Sequence, residues 1–143
     1  MRSPMSEPRD LVFFSDRDLG RQFPMFLLAA GVRIERHDDH FGPPNTSDEE
    51  WIGEIGRRRW VAVTRDARIR YSPLALSILM QSGAQLFVLV GKLTTTEAAE
   101  VFLKWREKIR ATALGETGAF VAKIRRDGVH MWLRERDWRR RGH

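Results

Sequence analysis

The sequence contains no cysteine, and no run of apolar residues approaches the length of about 18 that a membrane-spanning helix needs. The absence of cysteine excludes a disulfide framework, a thiolate zinc site and a thiol nucleophile. Any bound metal would therefore have oxygen or histidine ligands. The N-terminal run MRSPMSEPRD has no apolar stretch behind its basic residue. We expect a cytoplasmic protein that does not enter a membrane.

Acidic residues are fewer than basic ones: 19 Asp and Glu stand against 25 Lys and Arg, which gives a formal net charge of +6. The surplus is concentrated in Arg57-Arg58-Arg59, in Arg125-Arg126 and in the C-terminal run RERDWRRRGH. Such clusters are typical of proteins that bind polyanions, although many basic proteins bind no nucleic acid. Charge alone therefore favours a polyanionic partner without identifying it.

The chain also lacks internal repeats and low-complexity linkers, and its 143 residues fall within the usual size of one domain. We predict a single domain over residues 1–143. Its core is expected at about residues 10–112, and a C-terminal hairpin and basic tail are expected at residues 113–143.

Strand-like apolar runs alternate with helical patterns along most of the chain. Strands are predicted at 11–15, 32–36, 60–64 and 85–90, and helices at 19–30 (or from about Gln22, because of Pro24), 48–58, 71–83 and 94–115. The run HDDHFGPPNTS is predicted to be a loop, and Asp127-Gly128 predicts a hairpin between two C-terminal strands. The alternation favours an α/β fold whose mostly parallel central sheet has helices on both faces.

Two predicted strands are followed by aspartate, and a third aspartate opens a helix. Asp16 follows the run LVFFS, and Asp66 follows WVAVT after a single arginine. Asp48 lies in the first turn of the helix that leads into WVAVT, where Ser47 and Glu50 form a capping-box pattern. Because ligands of parallel sheets bind beyond the carboxyl ends of the strands, we expect the three carboxylates to lie at one edge. Each could instead serve only as a helix cap or stabilise a helix dipole.

Convergent carboxylates are the ligands that hard cations such as Mg²⁺ or Mn²⁺ prefer. Such a cation supports phosphodiester hydrolysis, because it activates water and stabilises charge on phosphoryl oxygens. We therefore predict a divalent-metal site formed by Asp16, Asp48 and Asp66.

The motifs FFSDRDLG, SDEEW and AVTRDARI resemble, in order and spacing, those of small PIN-like proteins related to VapC-type toxins and to the Mut7-C domain. The resemblance covers roughly residues 10–70 and implies a three-layer α/β/α PIN-like sandwich. It implies the same catalytic and metal-binding acids, Asp16, Asp48 and Asp66, with Thr64 orienting the last. Arg17 stands where the family commonly has glutamate, so the role of Asp18 is open, and no fourth acid is identified.

The same resemblance implies a metal-dependent endoribonuclease, the toxin of a toxin–antitoxin pair. Its partners would be RNA, a cognate antitoxin protein and a second copy in a homodimer. Arg65 and Arg68, beside the acids, are the candidates for contact with the RNA backbone. Two alternatives stay open. Asp16-x-Asp18 also resembles the paired aspartates of haloacid-dehalogenase-type phosphatases, and a degenerate PIN-like module could bind RNA or protein without catalysis.

Other conspicuous residues have a structural interpretation. His37 and His40 belong to the polar run HDDH and are predicted to be solvated rather than part of the site. Trp132 and Trp138 could stack on RNA bases. Trp132 lies in an alternating hairpin strand, however, and is predicted to be a core or dimer contact.

Overall fold

A computed structural model describes residues 11–42 and 46–142. The centre of the fold is a sheet with strands β1 (Phe13–Ser15), β2 (Ile34–Arg36), β3 (Val61–Thr64), β4 (Gln85–Leu89), β5 (Phe120–Arg125) and β6 (Gly128–Arg134). The strand order is β2-β1-β3-β4-β5-β6, and every neighbouring pair is parallel except β5 and β6. The predicted α/β class, with its mostly parallel sheet and C-terminal hairpin, is confirmed.

The helices are α1 (Gln22–Ala29), α2 (His37–His40), α3 (Asp48–Arg58), α4 (Pro73–Ser82), α5 (Thr95–Lys104), α6 (Arg106–Gly115) and α7 (Glu135–Arg140). Two short 3-10 helices, Arg17–Leu19 and Ala67–Tyr71, follow β1 and β3. None of the helices in the described residues is long and apolar enough to cross a bilayer. Helix α1 begins at Gln22, which places Pro24 in the first turn, where proline is tolerated.

The four inner strands, β1, β3, β4 and β5, bury side chains on both faces of the sheet, because successive side chains point in opposite directions. On one face, Phe13, Val63 and Phe87 belong to a hydrophobic core shared with α1, α5 and α6. On the other face, Phe14 and Ala62 belong to a second core shared with α3 and α4. These two cores produce the three-layer α/β/α sandwich that the sequence predicts.

The predicted loop at HDDH is wrong, because these four residues form helix α2. The backbone N–H of Phe41 donates to the His37 carbonyl at 2.8 Å, and the His37 ring contacts the rings of Phe14 and Phe41. Burial of these rings stabilises a turn that the polar composition does not indicate. Residues 43–45 of the predicted loop lie outside the described residues.

The predicted long helix at 94–115 is also wrong, because it is divided into α5 and α6 at Trp105. Trp105 departs from helical geometry, with φ −105° and ψ 15°, and its indole N–H donates to the Arg126 carbonyl at 3.1 Å. Phe102 and Ile109, on either side of the break, are both fully buried in the same core. The bend therefore keeps both helices on one face of the sheet.

The strand order reverses direction between β1 and β3. Strand β2 follows β1 in sequence and lies on one side of it, whereas β3 lies on the other side. Helix α1 connects β1 to β2 over one face, and α3 leads from β2 to β3 over the opposite face. Such a reversal opens a crevice at the carboxyl ends of the two strands. Asp16 and Asp66, which follow these strands, are placed at that crevice.

Candidate active site

A pocket of about 440 Å³ opens at the carboxyl ends of β1 and β3. It is lined by Asp16, Arg17, Asp18, His37, Thr46, Asp48, Trp51, Asp66 and Arg68. The structure thus brings the three predicted acids to one pocket, and it adds Asp18 to them. The sequence does not predict a fourth acid, and in the structure Asp18 is the fourth carboxylate of the pocket. We call this cavity the acidic pocket.

Asp16 lies directly after β1, and Thr64 at the end of the neighbouring strand β3 holds its carboxylate. Thr64 is fully buried and Asp16 nearly so. The Thr64 hydroxyl donates to Asp16 Oδ2 at 2.8 Å, and the backbone N–H of Arg17 donates to Oδ1 at 2.7 Å. Thr64 was predicted to orient Asp66, and its hydroxyl does accept the Asp66 backbone N–H at 3.0 Å. Its donated hydrogen bond, however, goes to the first acid.

Asp18 is also close to the Thr64 hydroxyl. Its Oδ2 is 3.2 Å from Thr64 Oγ1 and accepts the backbone N–H of Arg65 at 3.2 Å. Burial and the neighbouring Asp18 raise the pKa of Asp16 to about 7. Loss of solvent around the carboxylate also raises the pKa of Asp18, although the residue as a whole is exposed at the rim. The pocket disfavours the accumulated negative charge, which a bound cation would stabilise.

Asp66 forms a bidentate ion pair with Arg68. Its Oδ1 accepts from the backbone N–H and from Nε of Arg68, both at 3.0 Å, and its Oδ2 accepts from Nη2 at 3.2 Å. These bonds lower the pKa of Asp66. The Arg68 side chain is 91% exposed, so it stays at the mouth of the acidic pocket. Arg65 is directed elsewhere, because its guanidinium donates to the Leu93 carbonyl and only its backbone N–H serves the site.

Asp48 is the first residue of α3 and reaches the pocket because that helix runs antiparallel to the strands. The Ser47 hydroxyl accepts the Glu50 N–H at 3.2 Å, so the predicted N-cap is confirmed. Asp48 Oδ1 accepts the indole N–H of Trp51 at 3.0 Å.

Asp16 and Asp66 also cap the two 3-10 helices. The capping interpretation is therefore correct for both residues, and it coexists with their position in one pocket.

His37 was predicted to be solvated, and this prediction is wrong. The side chain is 3% exposed and lines the acidic pocket. Burial and the nearby Arg17 lower its pKa, so the imidazole is neutral at neutral pH. The signal was present in the sequence: His37 directly follows the predicted strand at 32–36, whose carboxyl end reaches the same edge of the sheet.

The donor set of the acidic pocket fits a hard cation. Four carboxylates share one cavity, and oxygen ligands are those that Mg²⁺ and Mn²⁺ prefer. Among the described residues, no three acidic or histidine side chains are already arranged around one metal position. The contacts above explain this, since both Asp66 oxygens face Arg68 and an Asp48 oxygen faces Trp51. Metal binding by Asp16, Asp48 and Asp66 stays a prediction.

A second cavity of the same volume opens at the opposite edge of the sheet. It is lined by Leu11, Phe13, Gly31, Val32, Arg33, Phe102, Arg106, Glu107 and Arg110. Glu107 is the one carboxylate in this lining, and it stands beside three arginines. The lining is therefore positively charged and would repel a divalent cation. The acidic pocket is therefore the better candidate for metal-dependent chemistry.

Comparison with known proteins gives two matches. A family model described as a PIN like domain matches residues 11–91, which include β1 to β4 and all four pocket aspartates. A protein of Mycobacterium tuberculosis (strain ATCC 25618 / H37Rv), named "Putative ribonuclease VapC45", is 33% identical over 78 residues. That alignment covers 52% of this chain and 56% of the relative, so the chain spans little more than half of the relative's length. No solved structure matches the chain.

Proposed function

We propose, from the premise that this chain belongs to the PIN-like domain family, that it is a metal-dependent endoribonuclease. The observation that carries the proposal is the acidic pocket, where four aspartates meet at the strand-order reversal. The name of the mycobacterial relative supports RNA as the substrate. Membership of this family is inconsistent with the haloacid-dehalogenase alternative, in which Asp16 would be a nucleophile.

We propose further that the chain is the toxin of a toxin–antitoxin pair and acts in the cytoplasm. The support is the VapC name of the relative together with the family match. A cognate antitoxin protein would then be its partner. Formation of a homodimer stays a prediction from the family resemblance.

The residues of the acidic pocket have distinct roles in this proposal. Asp16, Asp18, Asp48 and Asp66 would hold Mg²⁺ or Mn²⁺, which when bound supplies Lewis-acid stabilisation of charge on the phosphoryl oxygens. Thr64 fixes Asp16, and the backbone N–H of Arg65 fixes Asp18. Arg68 would release Asp66 and bind a phosphate of the RNA instead. This change costs little free energy, because an ion pair with an exposed partner contributes little stability in water.

The test is cleavage of single-stranded RNA in Mn²⁺ by the wild type, by Asp66→Asn and by the control Asp127→Asn. Asn keeps the shape of the side chain but removes a charged ligand, so Asp66→Asn should reduce the rate by about 100-fold or more, since even residues that only support a ligand cost about 10- to 100-fold. Asp127 lies in the exposed hairpin turn, and its variant should cleave normally. Circular dichroism should be unchanged in both variants.

Two results would contradict the proposal. Undiminished cleavage by a pure Asp66→Asn preparation would remove Asp66 from the site. Metal-independent RNA binding by a wild type that never cleaves would favour the alternative of a non-catalytic RNA-binding module.

A further inference from the structure

An exposed aromatic cluster lies at the end of the 3-10 helix that follows Asp66 of the acidic pocket. Tyr71, the single tyrosine of the chain, is 66% exposed at the end of the 3-10 helix Ala67–Tyr71. Its ring packs edge-to-face against the ring of Trp132 on β6, with centroids 6.0 Å apart. Trp132 is partly buried against the core that also contains Trp51 of the pocket.

Arg70 gives this cluster a positive charge. Its guanidinium carbon lies 4.9 Å from the centroid of the Tyr71 ring and 5.9 Å from that of Trp132. Within the described part of the chain, the buried Nε of Arg70 has no hydrogen-bond partner. Cation–π attraction thus holds the side chain against two rings, and no carboxylate among residues 11–42 and 46–142 forms an ion pair with it.

We infer that Arg70, Tyr71 and Trp132 form a stacking subsite for bases of single-stranded RNA, beside the acidic pocket. Aromatic rings with adjacent arginine bind single strands because every base has a π face and every nucleotide carries a phosphate. The positive charge of Arg70 beside the exposed Tyr71 ring complements a polyanion that carries bases.

One short helix connects the cluster to the acidic pocket. The 3-10 helix that ends at Tyr71 begins directly after Asp66, and Arg68 on the same helix lines the pocket. With a rise of about 2 Å per residue, Tyr71 lies about 6 Å beyond Arg68 along this helix. An RNA strand with one phosphate at Arg68 would therefore bring a neighbouring base to Tyr71. The subsite rests on the proposed RNA substrate and extends it to the nucleotides beside the cleaved bond.

The experiment measures affinity for a fluorescent single-stranded RNA of about ten nucleotides, a length in the usual range for such sites, by anisotropy in EDTA. The variants are Tyr71→Ala, Tyr71→Phe and, as a matched control, Leu74→Ala, which removes a neighbouring apolar side chain of similar exposure at 59%. Tyr71→Ala should bind roughly 5- to 150-fold more weakly. Tyr71→Phe keeps the ring and should bind like the wild type, as should Leu74→Ala.

A second measurement reports the contact directly. Irradiation of the wild type with RNA containing 4-thiouridine should crosslink a base to Tyr71 or Trp132, as mapped by mass spectrometry of the peptides. The inference would be overturned if Tyr71→Ala bound RNA as tightly as the wild type, or if crosslinks formed only at other residues. Either result would favour a protein partner for the exposed Tyr71 ring. Because binding is measured without metal, this failure is distinguishable from failure of the proposed function, which would appear in the Mn²⁺ assay as a wild type that does not cleave or as undiminished cleavage by Asp66→Asn.

Discussion

The folded structure disfavours the ionised form of the Asp16 carboxyl group. Its carboxylate is almost fully buried beside Asp18, and its pKa is raised from 3.8 to about 7. Between these two pH values the folded protein therefore binds more protons than the unfolded chain. By linkage, a rise in pH through this window lowers the free energy of unfolding. The folded protein is destabilised because, without a bound cation, ionised Asp16 is buried beside another carboxylate.

The Asp16→Asn variant should lack this pH dependence. In EDTA, the wild type should lose stability relative to the variant as pH rises from 3.8 to about 7. The difference should be on the order of a few kcal/mol, because one pKa unit corresponds to about 1.4 kcal/mol. Urea unfolding of both proteins at about pH 5 and about pH 8 measures it, since these values lie inside and above the window. Parallel stability changes in the two proteins would show that Asp16 ionises normally.

Some site residues could be predicted from the sequence because their positions depend on topology alone. Asp16 and Asp66 follow adjacent parallel strands, and Asp48 opens the helix between them, so one rule about strand ends predicts that they meet. The same rule places His37 at this edge, since it follows β2, but the polar neighbours in HDDH favour a solvated side chain instead. The direction of Arg65 could not be predicted, since it depends on the Leu93 carbonyl, which is remote in sequence.

Among the elements, helices α3 and α4 make an unusually close contact at Gly56. A Cβ atom on Gly56 would lie 2.6 Å from Ser82 Cβ and 2.7 Å from the Ser82 carbonyl oxygen, so backbone would have to move. Gly53, one turn earlier on α3, offers ordinary space, with its nearest contacts at 3.4 Å to Arg57 Nη1 and 3.5 Å to Ile78 Cγ2. The two glycines therefore form a matched pair on one helix.

We predict opposite effects of alanine at these two positions. Gly56→Ala should lower the free energy of unfolding by about 1 to 3 kcal/mol, as expected for overpacking. Gly53→Ala should be neutral or stabilising by up to about 1 kcal/mol, because alanine has the higher helix propensity. Chemical denaturation of both variants measures the difference. Equal stability of the two would mean that α3 and α4 can separate freely at Gly56.

Elements defined by local chemistry were predicted well, and those defined by remote contacts were not. Ser47 and Thr94 cap helices as their side chains indicate, and Gly83 ends α4 with a positive φ of 79°. The division at Trp105 was missed because the apolar spacing continues through it. At the break the Trp105 indole donates a hydrogen bond to the Arg126 carbonyl in the turn between β5 and β6, a contact 21 residues away in sequence.

At the scale of the whole molecule, the basic clusters of the sequence do not surround the acidic pocket. Arg57 and Arg58 lie at the end of α3, and both pair with Glu54. Because α3 begins at the pocket and has 11 residues, its end is about 16 Å away. Arg126 pairs with Glu97, and Arg139 with Glu135. The net charge of the sequence therefore overstates the positive charge available close to the pocket.

This distribution predicts which arginines govern the salt dependence of RNA binding. Each phosphate contacted by a cation should contribute about 0.7 to the slope of log K against log salt for a single strand. Arg68→Gln, at the pocket mouth, should reduce the slope by about that amount, whereas Arg58→Gln, at the far end of α3, should leave it unchanged. Anisotropy in EDTA between about 50 and 200 mM salt measures the slopes, over the range where the effect is large. A flat slope for the wild type would remove RNA as a partner, and an equal reduction by Arg58→Gln would place the RNA along α3 rather than at the four aspartates.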